Sequence, residues 1–133
     1  MGDYRETMQK TSLTALMRHE LEHARTVPAG RSSKTVFGGH EKILRQTVIA
    51  LLAGQALDEH VSPGEATIYV LHGRVLLESG DASWSGWIGD LLIVPSANLT
   101  LKALEDSAVL FTVAKLVQPA APAAPDFGSS VTA

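Results

Sequence analysis

The 133 residues contain no cysteine. That absence excludes a disulfide framework, a thiolate metal site and a cysteine nucleophile, and it fits a reducing cytoplasm. A basic excess is missing too: 11 Lys and Arg stand against 14 Asp and Glu, for a net charge of −3, and the cations are scattered. Nucleic acid therefore finds no electrostatic footprint on this chain. The N-terminal stretch is polar and charged, without the apolar centre of a signal peptide, and no run approaches membrane-spanning length. Also missing are a Ser-His-Asp order, a phosphate-cradling glycine loop, a dinucleotide fingerprint and an internal repeat long enough for two barrels. These absences leave the expectation of a bacterial-style cytoplasmic domain with neither nucleic acid nor membrane as partner.

What is present suffices for a core, since 45% of the residues are hydrophobic. The length is that of one domain, able to bury about two thirds of its unfolded surface. Ser12 is placed to cap a helix running to about Arg25, which Pro28-Ala29-Gly30 ends. Leu13, Leu16, Met17, Leu21 and Ala24 share one face at helical spacing, so this helix must pack onto something. From Arg31 the period becomes that of strands. Ser32-Ser33 reads as a loop, and 35–37, 43–53, 67–71, 74–78, 83–87, 90–94, 99–103 and 108–116 read as strands. Many short strands at near-regular spacing predict an all-β antiparallel barrel or jelly roll behind one amphipathic helix. Three of the six prolines lie beyond residue 117 among alanines and serines, a composition that cannot bury enough to order itself. The expected layout is an arm and helix over 1–30, a barrel over 31–117 and a loose tail over 118–133.

The stretch from Gly54 to Gly73 organises the rest. His60 ends one strand, Pro63-Gly64 turns the chain, and Ile68, Tyr69 and Val70 favour the pleated surface that follows. In frame, this stretch resembles the first signature of the cupin superfamily, G-x5-H-x-H-x3/4-E-x6-G. Gly54, His60 and Gly73 fit it, Ser62 holds the second histidine position, and Ala66 holds the glutamate position with Glu65 one place early. The second signature, G-x5-P-x-G-x2-H-x3-N, is similar to the segment opening at Gly89. Gly89 and Pro95 fit, Ala97 replaces a glycine, and Thr100, or Leu99 if the turn is one residue shorter, replaces the histidine.

The resemblance covers roughly residues 40 to 117 and implies a single RmlC-like cupin jelly-roll barrel. Metal-binding cupins hold one divalent ion between three imidazoles and a carboxylate, and of these four positions this chain keeps His60 alone. The resemblance therefore implies a small single-domain cupin with degenerate metal motifs and no cofactor. Its expected role is a non-catalytic binding or sensing module whose pocket is walled by His60, Gln46, Ser62, Thr100 and Glu65, for a small-molecule ligand. The alternative is an oxygenase or isomerase holding Fe, Mn, Ni or Zn through His60, Glu65 and His40. Small cupins of this kind pair through an outer sheet, so a homodimer is expected.

Three further features stand apart from the signatures. His19-Glu20-Leu21-Glu22-His23 matches the helical zinc-protease motif H-E-x-x-H, but a third ligand at the usual distance is missing. A solvated helix flank is the simpler reading. Trp84 and Trp87 are placed to bracket a barrel mouth or a subunit contact. Arg45, inside an apolar strand, would need a carboxylate partner if buried, with Glu41, Glu65 and Glu78 as candidates.

Overall fold

The computed structural model describes residues 8–60, 65–95 and 98–115, with the backbone alone at 59 and 60. Helix α1 spans Leu13–Thr26, and the Ser12 side chain accepts the Ala15 N–H at 3.1 Å. The cap stands where the sequence predicts it. Among the described residues nine strands follow: β1 (Arg31–Phe37), β2 (Leu44–Leu51), β3 (Ala56–His60), β4 (Glu65–His72), β5 (Arg74–Ser79), β6 (Ala82–Trp87), β7 (Leu91–Val94), β8 (Asn98–Ala103) and β9 (Ser107–Ala114). Ser32 and Ser33, expected in a loop, lie inside β1, because pairing with Ala50 and Ile49 on β2 engages their backbone. β2 is one strand paired with β9 from Leu44 to Leu51, and on its other side β1 carries a register shift between Thr35 and Phe37, opposite Thr47 and Gln46. Among the described residues no helix is long and apolar enough to cross a membrane.

The strands form two antiparallel sheets, β1-β2-β9-β4-β7 and β3-β8-β5-β6, closed face to face as a jelly roll. The expected all-β barrel with one preceding helix is the fold observed. Side chains alternate across each strand, so each sheet has one face inside and one outside. Ile49, Ile68, Val70 and Val109 from the first sheet meet Val75, Leu77, Leu99 and Leu101 from the second in the barrel core.

A second, smaller core lies outside the barrel. Leu21 and Ala24 of α1 pack on Ala50 and Ala108, with Met17, Leu52 and Leu71 around them. The alanines let the helix approach the sheet closely. They also explain why β2 is apolar on both parities: Ile49 and Leu51 face the barrel, and Ala50 faces the helix.

Candidate functional site

The rim of the barrel is set by register. Arg45 on β2 pairs with Val113 on β9, which pairs with Ala66 on β4, which pairs with Val94 on β7. Directly opposed residues share a face, and Ala66 and Val94 belong to the barrel core, so this row faces inward. In the second sheet the matching row runs Leu57, Leu101, Leu77 and Trp84. One layer deeper, Thr35 and Thr47 place their hydroxyls 3.2 Å apart.

Two signature positions lie within this interior. Ala66 stands where the first signature has its glutamate, and it is 4% exposed. Leu99, at the histidine position of the second signature on the shorter count, is 3% exposed. Neither side chain can ligate a metal. Thr100, expected to wall the pocket, lies on the opposite parity and donates its hydroxyl to Asp58 Oδ1 at 2.7 Å. The β8 strand alternates strictly, with Leu99, Leu101 and Ala103 inside, so Thr100 must face out.

Gln46 also departs from its expected place. Its Nε2 donates to Thr112 Oγ1 at 3.3 Å, one strand position from inward-facing Thr47. Glu65 is exposed opposite Ala114, a parity away from buried Ala66, and His40 sits exposed in the turn between β1 and β2. The register pairs position 60 with Asn98. Ser62 and the Pro63-Gly64 turn lie outside the described residues. Gln46, Thr100 and Glu65 are therefore not gathered in the barrel, and among the described residues no three His, Asp or Glu side chains converge as metal ligands. Among the described residues, the donor set does not fit the metal centre that the fold family implies.

The H-E-x-x-H segment has a different use. Glu20 is 5% exposed and accepts a hydrogen bond from the Ser32 hydroxyl of β1. His23 Nδ1 lies 2.8 Å from the same Ser32 oxygen. Because that hydroxyl donates to Glu20, the His23 ring donates to it. The glutamate is thus engaged in docking α1 on the barrel, while His19 is largely solvent-exposed. On a helical wheel Glu20 adjoins Leu21 and Ala24, which is the one sequence signal that could have found this role.

Arg45 is neither buried nor paired with Glu41, Glu65 or Glu78. It is exposed at the rim, and Glu78 bonds Lys102 instead, at 3.2 Å. Trp84 stays 44% exposed at the same end of the barrel. Trp87 lies on the other face of β6, where the Arg74 guanidinium stacks 5.3 Å from its ring centre.

Comparison with known proteins places the fold. No protein-family model matches this chain, and no curated protein matches it in sequence. Solved structures do. An RmlC-like cupin protein from Desulfovibrio desulfuricans is 28% identical, with a TM-score of 0.56 over 63% of this chain and 81% of its own. A conserved protein of unknown function from Streptococcus pyogenes is 24% identical, with a TM-score of 0.61 over 69% and 80%. A cupin superfamily protein from Desulfitobacterium hafniense, 14% identical, gives a TM-score of 0.58 over 64% and 77%. Two sheets in jelly-roll order, both signature frames and these likenesses converge: the chain is a small cupin domain.

Proposed function

We propose that this cupin is a non-catalytic module that binds a small molecule at the barrel rim. The observation that carries the reading is the occupation of two ligand positions of the signatures by buried Ala66 and Leu99. Apolar side chains there leave a site that can hold a ligand by shape and a few polar contacts, the usual design of binding pockets. Elemental analysis of the purified protein tests it. The expected result is transition metal far below one ion per chain. Stoichiometric Fe, Mn, Ni or Zn that disappears in His60→Ala would overturn the reading.

We also propose that the module works as a homodimer. The outer face of the first sheet beyond α1 carries Thr67, Tyr69, Leu91, Ile93, Leu110 and Thr112, with Ile93 68% exposed. None of these six is charged, and Glu65, on the same face, lies at its end opposite Ala114, so two copies can meet on the six with little like-charge repulsion. Light scattering should give twice the chain mass, and the chain mass for Ile93→Lys. A monomeric wild type would refute the pairing.

A further inference from the structure

This inference rests on the binding-module reading and names the class of ligand. Arg45 shares its row with Val113, Ala66 and Val94, so the pleat aims it to the interior side of the rim. The turn after β1 packs on its stem, since a Cβ built at Gly38 would lie 3.1 Å from Arg45 Cγ. Among the described residues none of the ion pairs engages its guanidinium. An exposed cation outside these ion pairs thus stands at the mouth of an apolar barrel, its stem beside Gly38.

Across the mouth stands an aromatic ring. Trp84 is opposite wholly buried Leu77 and on the same face, yet keeps 44% of its surface exposed. A Cβ built at Gly86 would lie 3.1 Å from both Leu92 Cδ1 and Val70 Cγ2, which sets β6 beside β7 and brings Trp84 level with Val94. From β2 to β7 is three strand spacings, roughly 14 Å. Arg45 and Trp84 therefore flank a floor of Ala66, Val94 and Leu99, each 5% exposed or less.

We propose that this rim binds a small organic anion: a carboxylate on an apolar body, the carboxylate on Arg45 and the body between Trp84 and the floor. A guanidinium fork matches a carboxylate in two parallel hydrogen bonds, and the apolar floor beneath strengthens them. Trp84 supplies rigid apolar area at little entropic cost.

The test uses the full chain, treated with chelator so that no metal can hold the carboxylate, and carrying Trp87→Phe so that fluorescence reports Trp84. The probes are cyclohexanecarboxylate and its neutral twin cyclohexanecarboxamide, neither of which absorbs with tryptophan. The acid should give a saturable change and bind at least about tenfold tighter than the amide, as a charge-assisted contact predicts. Arg45→Met, which keeps the stem under Gly38, should reduce the acid to the level of the amide. Arg45→Lys should keep part of the preference, and Lys34→Met, on the outer face, all of it. Equal binding of acid and amide, an acid preference that survives Arg45→Met, or no saturable response to the acid would overturn the inference. Equal saturable binding of both probes would leave the binding-module reading standing. Stoichiometric metal in the untreated protein would remove that reading whatever the probes do.

Discussion

Gly54 and Gly73 bound the first signature, and both adopt positive φ, +88° and +79°. Replacing either by alanine meets the same backbone penalty, about 1–2 kcal/mol for an L-residue in the left-handed region. Their surroundings differ. A Cβ at Gly54 meets nothing within 4 Å, so Gly54→Ala should cost that penalty alone. A Cβ at Gly73 would intrude on the Asp106 carbonyl oxygen and Ser107 Oγ, and would lie 2.8 Å from Ser107 Cα. Relief requires moving the start of β9, where the buried Ser107 hydroxyl accepts the Arg74 N–H at 2.9 Å and lies 2.7 Å from the Glu105 carbonyl. Loss of those bonds adds about 2–3 kcal/mol, at about 1 kcal/mol for each bond and more where a buried group is left unsatisfied. Gly73→Ala should therefore cost about 3–5 kcal/mol, the sum of the two terms, at the high end of what single substitutions cost. Urea unfolding of both variants, followed by circular dichroism and extrapolated linearly, gives the comparison. Equal losses within about 1 kcal/mol would refute the steric argument and leave only the shared backbone term.

Three further outcomes follow from contacts described above. Ser32→Ala removes the hydroxyl donor to buried Glu20 and should lower stability by about 1–3 kcal/mol; an unchanged melting temperature would show that the carboxylate reaches water. Leu77→Ala empties a wholly buried position facing Leu101 and should cost about 2–5 kcal/mol in denaturant unfolding; a loss under about 1 kcal/mol would mean that the rim collapses into the space. Glu78→Gln breaks an exposed ion pair with Lys102 and should change stability by less than about 1 kcal/mol at any salt concentration; a larger, salt-sensitive loss would point to a wider charge network.

The helix, its serine cap and the strand count were legible because each is written in local spacing: a capping side chain, an apolar face, and short runs between turn residues. The barrel followed from the strand count and, independently, from the signature frame. The site was less legible because alternation reveals two rows of a strand without saying which is inside. On β8 the shorter count puts Leu99 inside, as observed, and sends Thr100 to Asp58. On β2 both parities are apolar near Ala50, so Gln46 and Arg45 could not be phased from the strand itself. Its phase is set by Ala50 meeting α1 and by Arg45 meeting Val113, contacts with residues distant in sequence. Glu20 was hidden for the same reason, since its partner Ser32 lies on the next element.

The two apolar clusters are separated by a single thickness of sheet, and they share no side chain. Undocking α1 would bare Ala50 and Ala108 and break the bond between Ser32 and Glu20, while the side chains of the barrel core keep one another as neighbours. The helix therefore adds a layer of stability of its own, distinct from the barrel core.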